Sequence, residues 1–204
     1  MPKPETGTGP KRRPVKPPAK ERPGTPWVSR DVFKRSVGIA AARSASGVPH
    51  ALFVVHVERL ADITDRCGFG AEGALLDLAA LILTNLTGDR FPLCRLENDQ
   101  LAVIKDRCVP SQVSTIARQM RTALEGGVFI WQDLHFRLGV NVGVVVLTPA
   151  PGGPGALIRR AREACVAARE LGNRGCLLLE GTEREKARIE KDRAWFDQLR
   201  ETIA

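Results

Sequence analysis

The segment that most restricts the fold is Ala51-Leu52-Phe53-Val54-Val55-His56-Val57, set between the Gly47-Val48-Pro49 turn and Glu58. Apart from His56 it is wholly apolar, and three of its residues are β-branched. No polar residue alternates through it, so it has no face to offer water. A run this short, with these side chains, reads as a central strand covered on both sides. Such a strand needs other strands at its edges and helices above and below it.

The rest of the chain supplies them. Val28, Val32, Phe33, Val37 and Ile39 to Ala42 recur at near-helical spacing, which predicts a first helix ending around Ser44 to Gly47. After the strand come a short helical piece at Leu60 to Arg66, a glycine-rich bend at Gly68 to Gly73, and an apolar helix carrying Leu75, Leu78, Ala79, Ile82 and Leu86. Two short strands, about Leu93 to Leu96 and Leu101 to Ile104, flank the polar turn Glu97-Asn98-Asp99-Gln100. Asn and Asp tolerate the left-handed conformations that tight hairpins require. Val113, Ile116, Ala117, Met120 and Leu124 mark an amphipathic helix that ends at Gly126-Gly127.

Val128 to Trp131 and His135 to Leu147 read as a strand pair or one long bent strand. A Pro/Gly loop, Pro149 to Gly155, leads to a helix through Leu157, Ala161, Ala164, Cys165, Ala168 and Leu171, and a strand at Cys176 to Leu179 completes the sheet. The expected class is α/β, with a mixed central sheet of about five strands surrounded by helices.

Three pieces follow from composition. Residues 1–26 hold seven cations against Glu5 and Glu21, together with eight prolines, and account for +5 of the net charge of +8. With almost nothing to bury, this tail is expected to be extended or disordered. It reads as a solvated linker, or as a contact for nucleic acid or an anionic membrane, although no aromatic residues interleave as a single-strand surface requires. Residues 27–181 form the domain. Residues 182–204 are charged and helical in propensity, with Ile189, Phe196 and Ile203 seven apart and Leu199 between the last two. That stripe suits packing on a partner helix or, because Asp192 interrupts it, on its own domain.

No apolar run approaches the roughly 18 residues of a membrane helix, and the tail lacks the apolar core of a secretory signal. The five cysteines are scattered without a C-x-x-C pair, which argues against a disulfide framework or a zinc site and makes the cytoplasm the expected location.

The isolated motifs are weak. Gly68-Phe69-Gly70-Ala71-Glu72-Gly73 matches G-x-G-x-x-G but stands about ten residues beyond the strand, and no P-loop lysine follows. It reads as a bend that starts a helix. His50, His56 and His135 show no regular carboxylate or cysteine spacing; a lone strand histidine such as His56 is more often a satisfied core or edge residue than a ligand. No serine or cysteine nucleophile signature is present.

Several weak motifs in register are more informative. Arg95-Leu96-Glu97-Asn98-Asp99-Gln100-Leu101-Ala102-Val103 resembles R-L-G-G-D-E-F-A-V of the GGDEF family, the diguanylate cyclases. Val54 to Ala61 is similar to the I-D-L-D-x-F-K segment, and the stretch through Asp65 and Gly68 resembles I-N-D-x-x-G-H. Val140-Asn141-Val142-Gly143 is similar to V-S-I-G, and Ala168 to Arg174 to A-K-x-x-G-R-N-R. Ser29-Arg30 and Phe33 echo L-P-N-R-x-x-F. The likeness runs from about Trp27 to Glu180 and implies a palm-like nucleotidyl-cyclase fold.

In that family two domains face each other, each holding GTP and metal ions, and a ribose 3′-hydroxyl attacks an α-phosphate to form cyclic di-GMP. Clustered carboxylates hold the metal and glycines allow the backbone to approach the phosphates.

The resemblance implies the first metal aspartate at His56, a neutral ligand poorly matched to magnesium, with a backbone carbonyl from Val57. Asp99 keeps its carboxylate, but the next position is Gln100, which carries no charge. Glu97 and Asn98 replace the two glycines and crowd the phosphate path. The guanine-reading positions fall on Thr64 and Gly73, and the phosphate-binding cations on Arg169 and, past a one-residue deletion, Arg174. The product-inhibition R-x-x-D is missing near Gly88 and Phe91.

The expectation is a catalytically degenerate domain acting as a regulatory or protein-interaction module, with no catalytic residues and no cofactor. Its partner would be another protein or a second copy. The alternatives are a GTP-sensing module using Thr64, Arg169, Arg174 and Asp99, or a weakly active cyclase in which His56 and Asp99, with Glu58 or Glu97, hold manganese or another transition metal; magnesium or manganese is expected only where nucleotide binding survives.

Overall fold

The structure is a computed structural model that describes residues 27–170 and, as backbone, 176–178. The basic tail 1–26, the charged segment 182–204 and Arg174 lie outside the described residues. In chain order the elements are β1 (Trp27–Val28), α1 (Arg30–Ala45), β2 (His50–Val57), α2 (Leu60–Thr87), β3 (Leu93–Arg95), β4 (Gln100–Asp106), α3 (Pro110–Glu125), β5 (Val128–Trp131), β6 (Leu134–Arg137), β7 (Val140–Val146), α4 (Gly153–Glu170) and β8 (Cys176–Leu178).

β2 lies inside a sheet of order β1-β3-β4-β2-β7-β8. It pairs antiparallel with β4 on one edge and β7 on the other, whereas β1 with β3 and β7 with β8 run parallel. The sheet is therefore mixed, as expected, and the five anticipated strands are joined by β1. That strand is two residues long, too short to leave a periodic pattern. The stretch from His135 to Leu147 divides. β6 pairs with β5 in a separate two-stranded sheet, while β7 enters the main one.

Alternation along β2 builds two cores. Phe53 and Val55 point toward α2 and α3, where Leu75, Leu83, Val113 and Met120 are buried. Leu52 and Val54 point the other way, toward Phe33 and Val37 of α1 and Leu157 and Ala161 of α4. Covering both faces is what the unbroken apolar run demands. Helix starts agree with local chemistry: Ser29 caps α1 by accepting from the Val32 amide at 3.4 Å, and Pro110 opens α3.

The glycine-rich bend is narrower than expected. Only Gly68 leaves helical geometry, at φ 80°, and Gly70 and Gly73 continue the helix. By length and composition α2 is long and apolar enough to cross a membrane, although no uninterrupted apolar run stood out in the sequence. The kink at Gly68 and the burial of Leu75, Leu76, Ala79 and Leu83 against the sheet make it a core helix here.

Gly143 of β7 allows the closest inter-element approach. A Cβ there would collide with the backbone of Cys165 and the carbonyl of Ala161 on α4. Nothing lies within 4 Å of a Cβ on Gly127. Gly143→Ala should lower stability by about 3 kcal/mol, because backbone cannot yield as a side chain does. Gly127→Ala should stay within about 0.5 kcal/mol of the parent. Urea midpoints for the two variants check this, and equal midpoints would contradict the packing described.

Candidate functional site

The register that buries β2 places His56 between Gln100 of β4 and Asn141 of β7. All three side chains are on the α1/α4 side, at the end of the sheet where the β3–β4 turn closes. The turn is stitched to β2 by the Val57 amide, which donates to the Asp99 carbonyl at 2.8 Å. Asp99 Oδ2 lies 3.3 Å from His56 Nε2. On its other side His56 Nδ1 is 3.5 Å from Asn141 Nδ2, which also donates to Glu58 Oε1 at 2.8 Å. The imidazole is thus held with Nδ1 toward the Asn141 amide and Nε2 toward the Asp99 carboxylate. The result is a polar relay, Glu58–Asn141–His56–Asp99, crossing two strands and the turn.

The turn itself differs from the expected left-handed hairpin. Among the described non-glycine residues only Arg59, Arg107 and Gln132 have positive φ, so residues 97 to 100 close without one. Leu96 and Gln100 share a 2.8 Å backbone hydrogen bond, and Glu97 and Gln100 face each other with amide–carbonyl separations of 3.4 Å.

Two arginines grip the turn. From β3, Arg95 donates through Nη2 to the Asn98 carbonyl at 2.7 Å and through Nε to the Glu97 carbonyl at 3.3 Å. The same guanidinium pairs with Glu72 of α2, whose side chain is 11% exposed. From α4, Arg162 donates to Gln100 Oε1 at 2.9 Å and pairs with Glu97. Thr64, expected to read a base, has its hydroxyl 2.7 Å from Glu72 Oε2 and 3.0 Å from the Leu60 carbonyl. Glu72, rather than Gly73, thus faces Thr64.

Arg169 is exposed in the last turn of α4. It and Asp99 both act electrostatically on Cys165, which places them at the same end of the domain. A groove of about 440 Å³ beside the turn is lined by Gln100, Arg159, Arg162, Glu163, Val166 and Glu170, among others, so its charges are mixed.

Glu72, Asn141 and Arg162 were not anticipated from the sequence. The one legible signal was for Arg162, which stands two helical turns before Arg169 on the same face of α4.

These residues are a poor fit for magnesium. Among the described residues, no three or more His, Cys, Asp or Glu side chains gather as a metal-holding group. His56 and Asp99 offer one neutral nitrogen and one carboxylate, and the Glu58 carboxylate is engaged by Asn141. A hard cation that takes oxygen ligands in octahedral geometry is not served by that set.

Comparison with known proteins bears on the domain as a unit. The family model "Diguanylate cyclase, GGDEF domain" matches residues 25–175. The probable diguanylate cyclase DgcE of Escherichia coli (strain K12) is 26% identical over 150 residues, which is 73% of this chain and 13% of that protein. The chain therefore spans about one eighth of that relative's length. Among solved structures, the GGDEF domain of DgcB from Caulobacter crescentus in complex with c-di-GMP superposes with a TM-score of 0.68 at 17% identity, covering 80% of this chain and 98% of that one. Diguanylate cyclase SiaD in complex with its activator SiaC, from Pseudomonas aeruginosa, gives 0.65 at 14% identity, with 74% and 58% covered. At these identities the two structures speak for the fold alone.

The two arginine clamps should differ in energy. Arg162 and Glu97 are about half exposed, so their coupling in a double-mutant cycle should be at most about 1 kcal/mol. Arg95→Met leaves the Glu72 carboxylate buried without its cation and should cost about 3 kcal/mol. Arg95→Met combined with Glu72→Leu should recover most of that loss. Urea denaturation of the single and double variants checks both statements.

Burial pushes the Cys165 thiol up to about 11, its hydrogen bonds and Arg169 opposing the shift only in part, and burial likewise pushes Cys94 to about 11. Folding thus favours the neutral thiols. Their stabilising contribution is complete below the ordinary value of 9.0 and is lost as pH rises through about 11. With no tyrosine in the chain, the urea midpoint should fall across that window, and Cys165→Ala should flatten the fall.

Proposed function

The chain belongs to the GGDEF domain family of diguanylate cyclases, and from that premise we propose that its domain is a catalytically silent regulatory or protein-interaction module in cyclic di-GMP signalling. The observation that carries this reading is the self-occupation of the turn. Arg162 takes up Glu97 and Gln100, and Glu72 takes up Thr64 and Arg95. The turn and the base-reading position Thr64 are therefore engaged by the protein's own side chains, while Arg169, assigned to phosphate, stays exposed.

The chemistry argues the same way. Attack of a 3′-hydroxyl on an α-phosphate needs the developing charge held by metal or cations. At the turn, Asp99 faces an imidazole and Gln100 cannot take a proton or a charge. Glu97 adds a carboxylate where a triphosphate would lie, and the cation nearest it is already committed. Losing one such group typically costs two to three orders of magnitude, about 10²–10³ in rate, and several are altered together.

Regulation by contact is the remaining use of an intact fold with a closed site, and the partner is a second protein or a second copy of this chain. A solved relative of the same fold, SiaD, is in complex with its activator SiaC, which gives the mode a precedent in the family. Magnesium or manganese enters only if nucleotide binding survives.

A GTP-sensing reading draws on the exposed cation Arg169 and on the retained hydroxyl of Thr64. Isothermal calorimetry separates the two, because the interaction reading gives no heat with GTP. Incubating the protein with GTP and magnesium, then manganese, should yield no cyclic di-GMP above a GTP-free blank. Formation of that product with either metal would remove the proposal.

A further inference from the structure

The two helical layers differ in charge. α1 carries four cations against Asp31, and α4 carries four against Glu163 and Glu170, so the layer is net +5. On the other side of the sheet, α2 has four acidic residues against Arg66, and α3 has two arginines against Glu125, for a net of −2. The domain is therefore polarised across its sheet, with one basic broad face.

That face is continuous. A Cβ on Gly38 of α1 would lie 3.1 Å from Pro154 of α4, and one on Gly155 would lie 3.6 Å from the Lys34 side chain. Lys34 of α1 thus stands over the start of α4. Arg35, Ile39 and Arg43 follow one another at four-residue intervals along α1, and Ile39 is 58% exposed between its two cations. On α4, Arg159 is 68% exposed and Val166 43% exposed. The chain enters α1 from residues 1–26, which add a net +5 directly before β1.

We propose that the α1/α4 face docks on an anionic lipid surface. Arg35 and Arg43 flanking the exposed Ile39, with Lys34 and Arg159 beside them (the latter exposed although paired with Glu163), suit a headgroup layer, where charge is attracted and an aliphatic group reaches the acyl boundary. A nucleic acid is the less suitable partner. The two helices form a broad layer rather than a projecting element for a groove, and the exposed apolar groups on it are aliphatic, offering bases no stacking surface. The acidic α2/α3 layer then faces away from the membrane, so the attraction also sets orientation.

Flotation of the full chain with vesicles tests this. Phosphatidylcholine vesicles containing phosphatidylserine should carry the protein up, and pure phosphatidylcholine vesicles should not. Reversal of the face by Lys34→Glu, Arg35→Glu and Arg159→Glu together should cut partitioning by about tenfold or more. The milder Lys34→Gln, Arg35→Gln and Arg159→Gln set should give an intermediate loss, and circular dichroism should show both sets folded. Arg118→Glu, exposed on α3, should leave partitioning unchanged. Ile39→Asp should weaken it without altering the melting temperature. Equal flotation with neutral vesicles overturns the proposal, as does a face reversal no more harmful than Arg118→Glu. Retention on duplex DNA with no flotation on either vesicle also overturns it.

Discussion

At Gly143 the backbone of β7 rests against the backbone of α4 with no side chain between them, and much of the molecule is positioned by that contact. A helix normally stands off a sheet by the thickness of its side chains. Here it sinks, and the small residues Ala161, Ala164 and Ala168 along its buried stripe let it do so. Three consequences follow from the same descent. The Cys165 thiol reaches the Asn141 carbonyl at 3.4 Å, Pro154 closes on Gly38 of α1, and Arg162 comes within reach of the β3–β4 turn. The clamp on Glu97 and the closure of α4 on α1 thus share a mechanical origin in one missing Cβ.

What was legible in the sequence and what was not divides along physical lines. β2, the β3–β4 hairpin and α3 were readable because each declares itself locally, by an unbroken apolar run, a polar turn between apolar segments, or a 3.6-residue period. The partition of residues 128 to 147 was not. What separates β6 from β7 is Gly139, whose carbonyl accepts from the Glu58 amide at 2.8 Å and which a Glu58 carboxylate packs against. That contact is made 81 positions away, so no window of sequence contains it. The site divides in the same manner. His56 and the turn stood out as departures from a motif, whereas Arg162, Glu72 and Asn141 are pairings between elements. Glu72 pairs with Thr64 because the chain bends between them at Gly68, and a straight helix would set residues eight apart about 80° away from each other around its axis.

The altered positions of the turn are balanced rather than eroded independently. Glu97 puts a second carboxylate two residues from Asp99, and Arg162 offsets it. The same guanidinium holds Gln100, while Arg95 fixes the turn's carbonyls and neutralises Glu72. Because residues 97 to 100 close without a positive φ, the hairpin has no conformational need of glycine. Glycine there matters only where another molecule must approach the backbone. A turn without that requirement can accept side chains, provided their charges find partners, and Glu97 finds one in Arg162.

This balance bears on what a single reversion at the turn would accomplish. A carboxylate at position 100 is not by itself a metal ligand, since the Arg162 guanidinium already lies 2.9 Å from that side chain and would pair with the new charge as it does with Glu97. A carboxylate there turns the guanidinium's hydrogen bond to a neutral amide oxygen into an ion pair, so one acidic residue at that position tightens the clamp. Removing Arg162 together with Glu97 would take away that clamp, while His56 would remain where the resemblance puts a carboxylate. The clamp from α4 and the grip from β3 therefore act on the turn together.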